Sequence, residues 1–280
     1  MTTTAVPATL RPTRPALVTA LCNQKGGVGK TTSTINLARA ASLAGLAVLV
    51  VDLDPQGNTT SALARDELDE QSVGVADALI PDAEYTLAQV VVPTIWDGVR
   101  LAPTPNTEAL AEAESRVGAM RFGREKRLAD VLSPLLGDYD LVLMDNMPAL
   151  GLLLINALTA AEFSLIVAQP EQWSADGLAE LDKTIDLVIQ YHNPRLRRLG
   201  PLINGKRRSA HHDRIVEQII AHYGDQAWSA QDEIIPLRAA ISDYVLAGLG
   251  LDQGKEPWMR LVAEVFGRFV ERMLRAGGRL

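Results

Sequence analysis

The sequence predicts an α/β fold: a mostly parallel, twisted sheet with helices on both faces. Three observations predict it. Apolar runs with β-branched members recur at 16–21, 47–52, 141–145, 164–168 and 199–203, and such runs read as strands buried on both faces. Stretches of helical character lie between them. The first run leads into a glycine-rich loop and the next two end in carboxylates, at the strand ends where open parallel sheets hold ligands.

The first element runs from Ala16 to Leu21 and leads into Gln24-Lys25-Gly26-Gly27-Val28-Gly29-Lys30-Thr31-Thr32. Thr31 to Ala44 reads as a helix stopped by Gly45. Strand, glycine loop and helix form the context of a phosphate loop. Its glycines let backbone N–H groups approach an anion closely, and the helix start adds unpaired N–H groups and partial positive charge. Lys30 is placed to reach the β- and γ-phosphates, and the Thr31 hydroxyl to ligate Mg²⁺. The position five before Gly29 is Gln24 rather than glycine, and a second lysine, Lys25, stands at the mouth of the loop.

The second run ends in Asp52 and Asp54, the third in Asp145. Both sets of carboxylates are expected to face the crevice of the phosphate loop, with the 141–145 strand lying between the first two in the sheet, as in P-loop NTPases generally. The rival reading of Asp54-Pro55 is a simple turn.

With its second lysine, Lys25-Gly26-Gly27-Val28-Gly29-Lys30-Thr31-Thr32 resembles the deviant Walker A box of the ParA/MinD family. Val48 to Asn58 is similar to the family's second box, and Tyr139 to Asp145 with Pro148-Ala149-Leu150-Gly151 to its Walker B region. The resemblance is specific over the first 160 or so residues, and within the family it is nearest to ParA partition ATPases. It implies that Lys25 crosses to the phosphates of a partner subunit and that Asp54 orients the attacking water. Asp52 becomes a candidate beside Mg²⁺ or Lys30, and Asp145 a candidate to bond a Mg²⁺-bound water. Where the family usually carries two prolines, this chain has Asn146-Met147-Pro148, which implies a less rigid loop.

The chain has 280 residues, 47% of them hydrophobic, enough for one large core. Its single cysteine, Cys22, excludes an internal disulfide framework and argues against the cluster-bearing nitrogenase iron protein, a relative; a buried small hydrophobe is its expected role. No apolar run is long enough to span a bilayer and no signal-peptide core is present, so a cytoplasmic protein is expected, and the ParA resemblance implies that it is nucleoid-associated. Residues 1–15, rich in Thr, Ala and Pro, read as a disordered tail, and 16–280 as one domain. The tail is too short for the N-terminal DNA-binding domain of some ParA proteins.

Val73 to Leu79 reads as a short helix, Val99 to Pro103 as a strand, and Asn106 to Val117 as a helix with an Asn cap. Arg121, Arg124, Lys126 and Arg127 read as a solvated face. Gly151 to Ala160 and Ala175 to Tyr191 read as helices, and Ile234-Ile235-Pro236 as the end of the last strand. Asn204, at a strand end, is a candidate for the adenine contact, with capping of the next loop as the equal rival. Pro236 and the backbone after it are candidates to close the base pocket.

Net charge is −7, so any nucleic-acid contact requires a local basic patch. One cluster holds Arg195, Arg197, Arg198, Lys206, Arg207 and Arg208; another lies on the final helix at Arg268 and Arg272, opposite an apolar stripe. The ParA resemblance implies ATP and Mg²⁺ as cofactors, a homodimer sandwiching ATP, non-specific DNA as partner, and a ParB-type centromere-binding protein that stimulates hydrolysis. It implies no membrane partner. The rivals are a MinD-like membrane-surface ATPase and a P-loop ligase or synthetase acting on a small acid.

Overall fold

The computed structural model describes residues 14–172, 175–224 and 233–280. Residues 1–13 of the tail expected at 1–15 lie outside them. Arg14 and Pro15, read as part of that tail, are tied down: the Arg14 guanidinium donates to the Gly278 carbonyl, and Arg279 Nη2 donates to the Pro15 carbonyl at 2.9 Å.

The strands are β1 (Leu17–Cys22), β2 (Val48–Leu53), β3 (Val92–Pro93), β4 (Val99–Ala102), β5 (Leu141–Asn146), β6 (Phe163–Ala168) and β7 (Arg197–Ile203). Among the described residues they form one sheet in the order β3-β4-β2-β5-β1-β6-β7. All neighbours are parallel except the edge pair β3 and β4. The expected place of β5, between β1 and β2, is observed: Leu17 and Val48 both pair with Leu141. β1, β2, β5 and β6 are buried along their whole length, which is why they read as continuous apolar runs.

The helices are α1 (Lys30–Leu43), α2 (Asn58–Leu63), α3 (Val75–Leu79), α4 (Leu87–Val90), α5 (Thr107–Gly118), α6 (Arg127–Leu132), α7 (Leu152–Ala160), α8 (Ala175–Tyr191), α9 (Ala210–Tyr223), α10 (Ala239–Leu246) and α11 (Pro257–Ala276). Alternating side chains of the central strands enter two cores, one on each face. Val18, Ala20 and Cys22 of β1 join α3, α5, α7 and α8 on one face. Leu17 and Leu21 join α1, α10 and α11 on the other. The apolar stripe of α11, with Val262, Val265, Phe266, Phe269, Val270 and Met273, is buried in that second core. Asn106 caps α5 as expected, its side chain accepting from the Glu108 and Ala109 amides at 2.8 and 3.0 Å.

Two expectations are corrected. Ile234-Ile235-Pro236 is not a full strand. Ile235 exchanges bonds with Ile203 and Lys206 at 2.9 and 3.1 Å, and a single bridge joins Lys206 to Pro236. The run is short, and proline has no N–H for a ladder. Arg127 is not a solvated cation either: its guanidinium donates to the carbonyls of Ala78, Leu79 and Ile80, where α3 leaves acceptors unpaired.

Candidate functional site

The phosphate loop joins β1 to α1 and is anchored at both ends. Asn23 Nδ2 donates to the Val167 carbonyl of β6 at 2.7 Å, and Asn23 Oδ1 accepts from the Lys25 amide at 2.9 Å. At the far end Gly29 has φ +92°, and a side chain there would collide with the Asn204 amide. Only glycine meets both conditions. Val28 turns inward and is buried, so it serves the loop as a core anchor.

Lys30 is buried, and its ammonium donates to the Lys25 carbonyl at 3.2 Å. Burial pulls its pKa below the usual lysine range, and the carboxylates of Asp145 and Asp54 pull it back up. This is a cation held without bulk water, next to donors that suit an anion.

Asp145 is buried at the end of β5. Its Oδ2 accepts from the Thr31 hydroxyl at 2.7 Å and from the Thr59 hydroxyl at 2.7 Å, while Thr34 reaches Oδ1 at 3.4 Å. Asp52, its cross-strand partner on β2, is fully buried beside it. Asp52 accepts from the Thr60 amide and hydroxyl at 2.8 and 2.7 Å and from the Asp54 amide at 3.2 Å. Those contacts hold α2 against the sheet. The carboxylates that act on Lys30 are Asp145 and Asp54, so the expected Lys30 partnership of Asp52 gives way to Thr60. Burial first, and the neighbouring Asp145 second, push the Asp52 carboxyl up to about 8.

A cavity of about 330 Å³ opens over this floor. Gly26, Gly27, Gly29, Lys30, Thr31, Thr32 and Asp54 line it, as do Asn204, Gly205 and Pro236 to Arg238. Asp52 and Asp145 lie beneath, reached through the threonine hydroxyls. The oxygens of Thr31, Asp54 and Asp145 make a hard donor set that fits Mg²⁺. Among the described residues no three His, Cys, Asp or Glu side chains gather into a cage. Mg²⁺ in general is held by one or two carboxylates together with substrate phosphates and water.

Asn204 Nδ2 donates to the Val28 carbonyl at 2.9 Å, so this side chain lines the cavity and braces the phosphate loop at once. Asn146 prolongs β5, and its Nδ2 donates to the Leu21 and Met144 carbonyls at 2.9 and 3.2 Å. A side-chain tether thus stands where a looser loop was expected. Cys22 is buried and its thiol is pushed up to about 12 by desolvation, as an inert core residue should be. The sequence reading did not assign these contacts to Thr59, Thr60 or Asn146. The signal for the first two was present, a hydroxyl pair just inside the helix after Asp54-Pro55-Gln56-Gly57.

The two basic clusters lie away from the cavity floor and most of their cations are paired. Arg197 meets Glu162 at 2.7 Å and stacks on Phe163; Arg198 meets Asp186 at 2.8 Å. Lys206 meets Asp213 at 2.7 Å and Arg207 meets Glu171 at 3.0 Å. Arg268 and Arg272 converge on the buried Glu233 at 3.3 and 2.6 Å. Among the described residues, Arg195 and Arg208 make no ion pair and are exposed.

An AAA-domain family model matches residues 16–198. The chain is 37% identical over 226 residues to the chromosome partitioning protein ParA of Myxococcus xanthus, covering 80% of this chain and 76% of that one. It is 32% identical over 255 residues to the sporulation initiation inhibitor protein Soj of Bacillus subtilis, covering 89% and 97%. Among solved structures, cobyrinic acid a,c-diamide synthase from Mycobacterium smegmatis, with bound ATP analogue and magnesium, superposes with a TM-score of 0.76 at 32% identity over 93% of this chain and 95% of that one. The likeness extends well past the phosphate loop and across both faces of the sheet, and the chain belongs to the ParA family of partition ATPases.

Proposed function

We propose that the chain hydrolyses ATP with Mg²⁺ and closes on it as a nucleotide-sandwich dimer, that the dimer binds DNA without sequence preference, and that a ParB-type protein stimulates hydrolysis to release it. The observation that carries this reading is the joint placement of Lys30, Thr31 and Asp145. A buried cation and a hydroxyl held by a carboxylate stand under one glycine loop. In this reading the loop amides wrap the phosphates and Lys30 neutralises the β- and γ-phosphate charge. Thr31 presents its oxygen to the cation, with Asp145 behind it. Mg²⁺, when bound, supplies charge neutralisation at the phosphates. Asp54, at the cavity wall, orients the attacking water, and Lys25 reaches the phosphates of the second subunit.

The buried stripe of α11 argues against a MinD-like membrane tail, because its apolar face is already spent in the core. Among the described residues no helix is long and apolar enough to cross a membrane.

The likeness to cobyrinic acid a,c-diamide synthase favours a second reading, a synthetase that activates a small carboxylic acid with ATP. One experiment separates them: DNA binding measured with ATP, with ADP and without nucleotide, alongside ATP turnover in the presence of candidate acids. Partition predicts binding to DNA only with ATP. Acid-dependent turnover with no affinity for DNA supports the synthetase instead.

A further inference from the structure

Among the side chains that line the cavity is a cation that neither the phosphate chemistry nor the base contacts named above use. Arg238 lines the cavity, just before α10, in extended backbone with φ −145° and ψ 122°. It is exposed, and among the described residues it makes no ion pair. Its Cζ lies 4.8 Å from the centroid of the Trp258 ring. Trp258 is the second residue of α11 and packs, half-buried, against the core on that face of the sheet.

We propose that Arg238 is a base-stacking residue: clamped on Trp258, its guanidinium covers one face of the purine of the nucleotide bound in this cavity. A guanidinium is planar, delocalised and weakly hydrated, so each of its two faces can lie on a π-system. The indole takes one face. The other is left to the cavity that Arg238 lines together with the glycine loop; that loop suits phosphate, and the flat part of a nucleotide is its base. A free arginine side chain would lose much rotamer freedom on stacking; Trp258 has already restricted it, which lowers the cost of binding. Every base has a π-face, so this contact strengthens purine nucleotides as a class and does not select adenine over guanine.

The inference rests on the proposal that the cavity binds a nucleotide, and the test keeps the two apart. ATP and inorganic tripolyphosphate are titrated, each with Mg²⁺, against the full-length protein. Arg238→Ala is expected to raise the Kd for ATP roughly tenfold and to leave that for tripolyphosphate unchanged. Trp258→Ala shifts ATP in the same direction by less, and Trp258→Phe, which keeps an aromatic face and the fold, shifts it by less than threefold or so. If Arg238→Ala weakens ATP and tripolyphosphate equally, Arg238 is a phosphate contact and the stacking role is overturned. An unchanged ATP Kd overturns it as well. Failure of the wild-type protein to bind either ligand would instead refute the nucleotide site itself.

Discussion

Asp145 Oδ2 accepts the Thr31 hydroxyl at 2.7 Å, so an oxygen-bearing residue of the phosphate loop that lines the cavity is steered by the strand behind it. The Thr59 hydroxyl reaches that same oxygen at 2.7 Å. One carboxylate therefore aligns the loop and the first turn of α2. Substituting it would disturb two segments at once.

Lys30→Ala is expected to abolish tight ATP binding. The loop amides remain, but the charge that offsets two phosphates is gone. Calorimetric titration with ATP and Mg²⁺ checks this, and near-normal affinity in the variant would sink the phosphate-loop assignment.

Asp54→Ala should keep ATP and lose turnover, because the carboxylate bonds the Gln56 amide at 2.9 Å at the cavity wall and takes no part in wrapping the phosphates. The dimer should persist with unhydrolysed ATP. Lys25→Ala should lose turnover and also weaken the dimer; a cation supplied across a subunit boundary is worth roughly 10³–10⁵ in rate. Light scattering with turnover assays distinguishes the pair, and a wild-type rate in Asp54→Ala excludes its water-orienting role.

For DNA, the expected behaviour is ATP-dependent, sequence-insensitive binding whose log affinity falls by about 0.9 per log unit of salt for each duplex phosphate contacted. Arg207→Glu with Arg208→Glu should weaken binding on every sequence and flatten that slope while ATP binding is kept. The C-terminal pair needs a different design. Reversing Arg268 and Arg272 would strand the buried Glu233, a loss on the order of 3–5 kcal/mol. The informative variant therefore adds Glu233→Gln. If neither set changes DNA affinity at any salt, the DNA surface lies elsewhere.

The nucleotide-free protein should become less stable as pH rises from about 4 to about 8. Asp52 has its folded pKa raised from 3.8 to about 8, so the folded state holds that proton more tightly than the unfolded chain. Stability then increases as pH falls from 8 toward 4 and is lowest above 8. Asp52→Asn should flatten the dependence in thermal melts taken across that range. A slope equal to that of wild type would show that another group is responsible.

What was legible in the sequence were elements whose local pattern is also their tertiary role. β1, β2 and β5 are apolar throughout because they are covered on both faces, and each ends in the residues that make the site. The Asn106 cap was legible because capping needs only the next three residues. What was hidden depends on distant partners. Glu233 takes Arg268 and Arg272 from more than thirty residues away, so their sequence neighbourhood showed a basic stripe and not its neutralisation. β3 escaped because two residues, one of them proline, carry no period. The stacking of Arg238 on Trp258 joins two helices through a side-chain geometry that no spacing rule encodes.

The order β2-β5-β1-β6 also has a consequence for the birth of the protein. β1, which carries the phosphate loop, finds its neighbours only at Leu141–Asn146 and Phe163–Ala168. During synthesis the loop therefore leaves the ribosome long before either flank exists, and Asp145, which must steer Thr31, is still untranslated. A nucleotide has no finished pocket to grip until well over half the chain has emerged. Ligand cannot stabilise the early nascent chain, and its first half must stay soluble by other means.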